Sequence, residues 1–493
     1  MRWACCSRSR RPRASTSSRR STRSGSSGTA ACRSGPASTT RPSRTEAARV
    51  SLGGMTQTAI IVGAGLGGLA AARGLEAAGW QVRVLEAAER PRTTGAGIAI
   101  ASNGLEALDE LGVGDEVRDR AVRSMPEGVF TDQGSPLQQG STFDSSALHA
   151  LHRSTLLDIV GGGREVETGM RVVGVTDASS GARPSVTIEH GAADPDATDA
   201  RLERQQRQDR ARGIRLGRRL QRALEPGDDP IDRRAERRAT KQQVRESRES
   251  RFETIEADLV IGADGIDSAV RKALWPKAAT DYSGATCWYG VVQAEADSPS
   301  GMRQYVGSGA EFGMVPIDGG RVYWWGMAHA RMGRTSRDEL EAARERFDTW
   351  APEVRDHIAA TPQASVMRRD LHWLPTPLKS FHRPGVVLLG DAAHAMLPTF
   401  GQGGSLTLED AATLGILLQD HPLEQALRAY DSERIRRTDR FKQLSHRLAR
   451  VTTETRSSVL VAARNGAYNL LPTTLAEIAG DWMLHWRSPR AKR

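Results

Sequence analysis

The stretch GDAAHAMLPTFGQGG, residues 390–404, places a single carboxylate directly after a short apolar run. The run GVVLLG, residues 385–390, has the length of a buried strand, and Asp391 follows its last residue. Open α/β sheets bind ligands at the carboxyl ends of their strands, so an acid here can accept hydrogen bonds from a sugar-alcohol chain. The loop 397–404 then brings backbone against a flat ring, because a Cβ at its glycines would collide with that ring.

A second motif, GAGLGG, supplies Gly63, Gly65 and Gly68 in a G-x-G-x-x-G spacing between an apolar strand and a helix. In this context the first glycine permits a tight turn, the second lets the backbone approach a pyrophosphate, and the third lets the helix pack on the strand. Glu86 ends the next strand about twenty residues on, where an acid reaches a ribose hydroxyl. No second motif of this kind occurs, so the sequence predicts one dinucleotide held in this way.

The elements that position these motifs predict an α/β protein. Helical and strand–turn–helix patterns cover 58–87, 103–120, 151–160 and 257–270. Residues 281–330 are rich in alternating aromatic residues, which is typical of an antiparallel sheet. After Gly404 the chain has few helix breakers, and we expect C-terminal helices over 404–419 and 422–450.

The formal charge of +10 comes from two segments rather than from the body of the chain. Residues 1–50 carry twelve arginines and one acid, and residues 201–250 carry fifteen arginines, one lysine and nine acids. The remainder is net acidic, so we expect no binding of nucleic acid by the body. The segment 191–251 also lacks aromatic residues and predicts a disordered insertion. Residues 1–54 predict a disordered basic extension ahead of Met55, and an organellar transit peptide is the alternative.

Cysteine usage and hydropathy bear on location. Only Cys287 of the four cysteines lies in the body, so the sequence predicts no disulfide framework and a reducing, cytoplasmic location. No run of about 18 apolar residues occurs, so no transmembrane segment is expected.

Taken together, the motifs resemble those of the FAD-dependent aromatic hydroxylases, the single-component flavoprotein monooxygenases with the para-hydroxybenzoate hydroxylase fold. The G-x-G-x-x-G with Glu86, the stretch GADGIDSAVR (262–271) and the stretch 390–404 occur in the family's order. The segments GAGIAIASNG (95–104) and LHRSTLLD (151–158) match weaker family segments. The resemblance implies a Rossmann-like FAD-binding domain with a parallel sheet, an antiparallel-sheet substrate domain and C-terminal helices.

The resemblance also implies roles for individual residues. Cofactor binding is implied for Gly63, Gly65, Gly68, Glu86, Arg153, Asp264, Gly265, Asp391 and Gly403. Pro398, Gly401 and Gln402 would line the isoalloxazine at the catalytic centre. Arg271 is a further candidate for the same site, Asp264 is also a candidate helix cap, and His394 is interpreted as structural. No metal is expected.

The implied chemistry is reduction of FAD by NAD(P)H, formation of a flavin C4a-hydroperoxide with O₂, and hydroxylation or epoxidation of a small aromatic or conjugated ring. The aromatic sheet predicts the substrate floor, with Trp288, Tyr305, Phe312 and Trp324 as substrate contacts and Tyr289 and Trp325 as further candidates. Strand alternation places about half of such residues on the wrong face.

The resulting division of the chain has six parts, and we expect a monomer or a homodimer. The parts are the basic extension 1–54, FAD-binding segments 55–190 and 252–280, the insertion 191–251, the substrate sheet 281–380, and the last FAD-binding motif with the C-terminal helices, 381–493.

Other functions remain open on the sequence alone. A flavin dehydrogenase or oxidase would share these motifs without inserting oxygen. A damaged, inactive family member is another possibility, because both arginine-rich segments resemble GC-rich DNA translated out of frame. Flavin-dependent halogenases usually carry W-x-W-x-I-P and Baeyer–Villiger enzymes a second Rossmann fingerprint, and both are absent here. A basic nucleic-acid-binding protein is the non-enzymatic alternative.

Overall fold

The computed structural model describes residues 56–89, 96–140, 146–190, 252–295, 298–470 and 484–492. The predicted extension 1–54 and insertion 191–251 lie outside these residues. The strands are β1 Thr58–Val62, β2 Gln81–Leu85, β3 Gly97–Ile100, β4 Val122–Ser124, β5 Pro126–Thr131, β6 Pro136–Gln139, β7 Leu148–His152, β8 Met170–Thr176, β9 Ser185–His190, β10 Phe252–Glu256, β11 Leu259–Gly262, β12 Asp281–Gln293, β13 Met302–Gly307, β14 Ala310–Ile317, β15 Arg321–His329, β16 Met367–Trp373, β17 His382–Arg383 and β18 Val386–Leu388. The helices are α1 Leu66–Ala77, α2 Ser102–Glu110, α3 Gly114–Arg120, α4 Arg153–Gly161, α5 Ala269–Leu274, α6 Glu339–Arg346, α7 Pro352–Ala360, α8 Asp391–His394, α9 Gln402–Asp420, α10 Leu423–Thr453 and α11 Ser458–Leu470.

A five-stranded sheet in the order β17-β18-β11-β1-β2 forms the first layer. β18, β11, β1 and β2 run parallel, and β17 pairs antiparallel with β18. The central strands are apolar and buried throughout, as strands covered on both faces must be. The predicted α/β class with a parallel sheet is confirmed.

Helices α1 and α9 pack against each other at very close range. A Cβ added to Gly415 of α9 would lie 2.8 Å from the Cα of Gly74 in α1, so the two backbones meet with no side chain between them. The first residues of α9 consequently lie beside the start of α1: a Cβ on Gly404 would contact Ile98 at 3.0 Å and Leu66 at 3.7 Å. The two helices thus begin next to each other.

The second large sheet has seven strands in the order β16-β12-β15-β14-β13-β5-β6. All its pairings are antiparallel except that of β13 with β5. The sheet therefore draws β5 and β6 from residues 126–139, well before the range 281–380 that was predicted for the substrate sheet. Smaller sheets, β3-β7-β4 and β10-β9-β8, complete the described strands.

The two faces of the seven-stranded sheet have different partners. One face packs against α6, α7 and the residues between them, including Phe347 and Trp350. The opposite face packs against β3, β7, Leu397 and α10.

The four predicted substrate contacts, Trp288, Tyr305, Phe312 and Trp324, all lie on the helix-covered face and belong to its core. Their polar atoms are bonded there: the Trp288 indole donates to Glu339 at 3.0 Å, the Trp324 indole to Thr361 at 2.8 Å, and the Tyr305 hydroxyl to Glu353. The sequence-based choice of these four residues is corrected accordingly. Strand alternation gives two faces, and helices that follow in the sequence cover this one.

Within the described residues, no helix has both the length and the apolar character needed to span a membrane.

Phe347 tests the assignment of the helix-covered face. Its ring lies 5.4 Å from Phe312 and 4.9 Å from Trp350, and it is fully buried. We expect Phe347→Ala to lower the free energy of unfolding by about 3–5 kcal/mol, because it opens a cavity in a packed core. Denaturant unfolding measures this change. Phe252→Ala on β10, where the ring is 42% exposed, is the matched control and should cost well under about 1 kcal/mol. Equal costs for the two variants would contradict the assignment.

Candidate active site

Four of the sequence-predicted residues meet at one edge of the parallel sheet. Gly63 follows β1, Glu86 follows β2, Asp264 comes shortly after β11, and Asp391 comes shortly after β18. The four strands are parallel neighbours, so their carboxyl ends lie side by side. We call this edge, with the glycine turn 63–68, the strand-end site. The structure thus brings together groups that are more than 300 residues apart in the chain.

The three glycines of the turn stand in different surroundings. Gly63 has φ +101° and donates its N–H to Leu85 O at 2.7 Å. A Cβ on Gly68 would lie 1.8 Å from Gly63 O, so only glycine lets α1 pack on β1. A Cβ on Gly65 would meet nothing within 4 Å. Protein packing therefore requires Gly68, whereas the space in front of Gly65 is open.

Glu86 is fixed beside this turn. Its Oε2 accepts from Ala64 N and its Oε1 from Ala88 N, both at 2.9 Å. The carboxylate is thus held by backbone amides next to the start of α1.

Asp264 uses one oxygen to cap a helix. Its Oδ2 accepts from Ala269 N at 2.6 Å and from Val270 N at 3.2 Å, the first residues of α5. Its Oδ1 is buried and has no hydrogen-bond partner among the described residues, and burial raises the pKa of this carboxyl. Gly265, at φ +73°, follows with open space around its Cβ position. The capping role and an available acceptor atom therefore coexist in one side chain.

Asp391 begins the short helix α8, and its side chain is exposed at the strand-end site. Although the residue is exposed, the surrounding protein desolvates the carboxyl group, and this desolvation raises its pKa. The charges of His394, Arg153 and Arg271 oppose that rise. Arg271, itself buried, donates to the carbonyl oxygens of Asp391 at 3.3 Å and Ala392 at 3.0 Å. Arg271 thus holds the turn that presents Asp391.

The loop after Asp391 leads into α9. Pro398 is exposed, Gly401 has φ +62°, and Cβ atoms on Gly401 or Gly403 would meet nothing within 4 Å. The side chain of Gln402 does not face this space: it is 5% exposed, and its Oε1 accepts from Asn103 Nδ2 at 3.0 Å. Any contact of Gln402 with a ligand at the strand-end site would therefore come from its backbone.

Arg153 begins α4 and is exposed. Burial raises the pKa of the Tyr323 hydroxyl well above its usual value. The positive charge of Arg153 opposes this rise, as it opposes the rise at Asp391. Tyr323 lies on the sheet face opposite the core residues described above. The rings of Tyr289 and Tyr323 stack with centroids 6.4 Å apart, and Trp325 lies 5.6 Å from Tyr323. We call these three rings the aromatic face.

Two glycines make room for the aromatic face. A Cβ on Gly313 would lie 2.1 Å from the Trp325 ring, and one on Gly97 would lie 2.4 Å from the Tyr323 ring. Leu397, one residue before the Pro398 turn, packs in the same cluster as Tyr289 and Trp325. The aromatic face therefore lies between the loop that follows Asp391 and the strand β3.

Sequence reasoning missed a buried polar network behind the site. Arg434 donates to Asp410 Oδ1 at 2.6 Å and to Glu409 Oε2 at 2.5 Å, and Arg437 donates to Glu409 at 2.7 Å. His394 Nε2 lies 2.6 Å from Asp410 Oδ2, which also accepts from Gly390 N at 2.9 Å. His394 is therefore part of this network. The adjacent acids in the apolar sequence LTLEDAATL were the available signal.

Glu311 was also missed. It lies on β14 opposite Met327, on the same sheet face as the aromatic rings, and is 1% exposed. Burial raises its pKa to about 7, against hydrogen bonds from Thr452 and Gln304 and the charge of Arg464. A lone glutamate in the alternating sequence AEFGMVPI was the only cue.

The chain is similar to known proteins in sequence and in fold. A family model described as FAD binding domain matches residues 55–445. The aurachin C monooxygenase/isomerase of Stigmatella aurantiaca is 29% identical over 406 residues, which is 80% of this chain and 89% of that protein. Zeaxanthin epoxidase of Oryza sativa subsp. japonica is 34% identical over 212 residues, 40% of this chain and 31% of that protein. The crystal structure of Klebsiella pneumoniae HpxO with FAD and uric acid superposes with a TM-score of 0.67 at 22% identity, over 87% of this chain and 96% of that one.

The buried carboxyl of Glu311 predicts a pH dependence of stability. Its folded pKa of about 7 exceeds the ordinary 4.5, so the folded state binds the extra proton. The wild-type stability from this group is present below about pH 4.5 and is lost as the pH rises through about 7. Relative to Glu311→Gln, we expect the wild type to lose about 2–3 kcal/mol of unfolding free energy between pH 5 and pH 8.

Denaturant unfolding of both proteins across this pH range measures the difference. Glu341→Gln, at an exposed glutamate on α6, serves as the control and should run parallel to the wild type. Parallel curves for Glu311→Gln and the wild type would contradict the raised pKa of this buried carboxyl.

Proposed function

We propose that this chain, which belongs to the FAD-binding domain family and is an FAD-dependent monooxygenase of the aromatic hydroxylase type, oxygenates a small aromatic or conjugated ring with NAD(P)H and O₂. One oxygen atom enters the substrate by hydroxylation or epoxidation. The other leaves as water, with two electrons supplied by NAD(P)H. This reaction covers the activities for which the two relatives are named, a monooxygenase and an epoxidase.

The observation that carries the proposal is the strand-end site itself. Two helices, α1 and α9, begin there side by side, and neither has a side-chain cap at its N-terminus. Helix N-termini favour anionic groups, and Gly65, Gly401 and Gly403 leave open space in front of them. Glu86 follows β2 and Asp391 follows β18, and both supply carboxylate acceptors for hydroxyl groups at this edge. These features fit a dinucleotide that carries a pyrophosphate, a ribose and a polyol chain.

We assign the parts of FAD to these residues as follows. The turn at Gly63, Gly65 and Gly68 would hold the pyrophosphate, and Glu86 the adenosine ribose. Asp391 and Arg153 would hold the ribityl and ribose region, with Asp264 and Gly265 adjoining. The backbone from Pro398 to Gly403 would line the isoalloxazine. When bound, FAD supplies the redox chemistry, namely reduction by NAD(P)H and activation of O₂.

The chain's own residues perform the remaining work. The first amides of α9 stabilise negative charge on a ring placed against Gly401 and Gly403. Arg271 and the buried network fix the turn from which Asp391 projects. Leu397 and the aromatic face border the substrate space with apolar surface, which keeps water away from the reacting ring.

We propose Tyr289, Tyr323 and Trp325 as the substrate contacts, in place of the four residues on the opposite face. Flat aromatic side chains bind a flat conjugated ring by stacking, and the two phenols add hydrogen-bonding groups. We further propose that the protein acts in the cytoplasm as a monomer or homodimer without nucleic acid. The buried free thiol of Cys287 is consistent with a reducing compartment.

The absorption spectrum of the purified full-length chain tests the cofactor assignment, with two glycine variants as an internal comparison. Bands near about 370 and 450 nm that persist through gel filtration are expected for the wild type. Gly65→Ala should fold with a stability within about 1 kcal/mol of the wild type, because its φ is −72°, yet lose at least about tenfold in FAD affinity.

Gly68→Ala should instead lower the unfolding free energy by at least about 2 kcal/mol, because its Cβ would collide with Gly63 O. A colourless wild type that takes up no added FAD would refute the cofactor assignment. Full FAD affinity in Gly65→Ala would refute the placement of the pyrophosphate.

Paired tryptophan variants test the substrate face. We expect Trp325→Ala to keep bound FAD but to raise KM at least about tenfold for any ring compound that stimulates NAD(P)H oxidation, because a stacking surface is lost. A panel of phenols, hydroxypyridines and purines provides the screen. Trp324→Ala, on the other face, should act first on the free energy of unfolding. If Trp324→Ala raised KM and Trp325→Ala lowered only the free energy of unfolding, the substrate would be shown to bind at the helix-covered face.

A further inference from the structure

The turn between β14 and β15 reaches from the seven-stranded sheet to the start of α4. Asp318 in this turn accepts from His152 N at 2.5 Å through Oδ1 and from the Thr155 hydroxyl at 2.8 Å through Oδ2. His152 is the N-cap residue of α4, and Thr155 lies in its first turn. A carboxylate more than 160 residues away in sequence therefore stabilises the N-terminus of this helix.

The two hydrogen bonds of Asp318 are made at residues on either side of Arg153 in the chain. This residue lies between His152 and Thr155, and its own N–H donates to Ala96 O at 3.1 Å. With backbone bonds on one side and Asp318 on the other, the first turn of α4 has a fixed position relative to the seven-stranded sheet. The Cα atom of Arg153, from which its side chain extends, is therefore fixed in position.

Asp318 is in turn held by its own hairpin. Arg321 Nε donates to Asp318 O at 3.0 Å, and the Arg321 guanidinium lies 3.4 Å from Asp318 Oδ2. Arg321 also begins β15, the strand that carries Tyr323 two residues later. One short turn therefore connects the helix that carries Arg153 to the strand that carries the aromatic face.

We infer that Asp318 is a positioning residue that acts through Arg153. It fixes the position of the seven-stranded sheet relative to the cofactor site. The inference rests on the proposed function, in which Arg153 contacts FAD. The charge of Arg153 already acts on both Asp391 and Tyr323, one from each side of the site. Asp318 fixes the backbone that carries Arg153. A shift of the turn between β14 and β15 therefore moves the first turn of α4, and with it the Arg153 side chain at the cofactor site.

The test is a double-mutant cycle on the full-length chain, read out as the Kd for FAD. Flavin fluorescence is titrated with the apo forms of the wild type, Asp318→Ala, Arg153→Ala and the double variant. We expect Asp318→Ala and Arg153→Ala each to weaken FAD binding at least about tenfold. In the Arg153→Ala background, Asp318→Ala should have almost no further effect on Kd, since it acts through the missing side chain.

Two conservative variants keep the test informative if Asp318→Ala does not fold. Asp318→Asn retains an acceptor for His152 N and can pair with the Thr155 hydroxyl, so its Kd should stay within about threefold of the wild type. Thr155→Val removes one hydrogen bond at nearly constant volume and should show an intermediate, Arg153-dependent loss.

Asp338→Ala is the matched control. Asp338 caps α6 through Leu340 N at 3.0 Å and Glu341 N at 3.1 Å, on the helix-covered side of the sheet. Loss of this helix cap should lower the midpoint temperature of thermal unfolding and leave the Kd for FAD unchanged. Asp318→Ala would be shown to be merely structural if it behaved like Asp338→Ala, or if its effect on Kd were undiminished without Arg153. A wild type that binds no FAD would instead refute the proposed function, and this inference with it.

Discussion

The site depends on a set of charges buried behind it. Glu409 and Asp410 have no exposed surface, and such carboxylates are tolerated only when their hydrogen bonds are complete. Arg434 bonds both of them, and although burial acts to raise the pKa of Asp410, His394 and Arg434 hold it below its usual value. The partners of these acids come from α10 and from the turn at Gly390 with His394, so satisfying the charges fixes α9, α10 and this turn relative to one another. That turn is the one that carries Asp391.

This constraint explains why the strand-end site has one rigid side and one open side. Behind Asp391, Asp410 accepts from Gly390 N and Arg271 holds two carbonyl groups, so the turn has no freedom to collapse inward. In front of it, the backbone around Gly401 and Gly403 contacts no protein atom at the Cβ positions. An arrangement of this kind is preorganised. The residues proposed to bind the cofactor are already ordered in the folded protein, so binding does not carry the entropic cost of ordering them.

Sequence alone predicts the strand-end residues well because each belongs to a short local pattern. A glycine turn or an acid directly after an apolar strand has a defined place in a parallel sheet, and the predicted α/β class and FAD family follow from it. Long-range packing was beyond reach. The helix expected over 103–120 is broken at Gly112, whose φ is +74°, and the strand β7 occupies the first residues of the helix expected over 151–160. Alternation predicted that about half of the aromatic residues of the sheet lie on the wrong face, but only the tertiary structure shows which of them the helices cover.

The glycines separate what the protein requires from what a ligand requires. Gly68, Gly313 and Gly415 would each place a Cβ inside another part of the chain, so folding alone accounts for them. Gly65 and Gly403 have neither a positive φ nor a neighbour at the Cβ position, and Gly403 weakens a helix relative to alanine by about 1 kcal/mol. Gly466 shares both properties on α11, away from the site, so such a glycine is not by itself a sign of binding. What distinguishes Gly65 and Gly403 is their position at two adjacent helix N-termini, at the edge of the sheet where Glu86 and Asp391 also lie. The combination of an unexplained glycine, a helix start and a nearby carboxylate is the reason that we propose this edge of the sheet as the cofactor site.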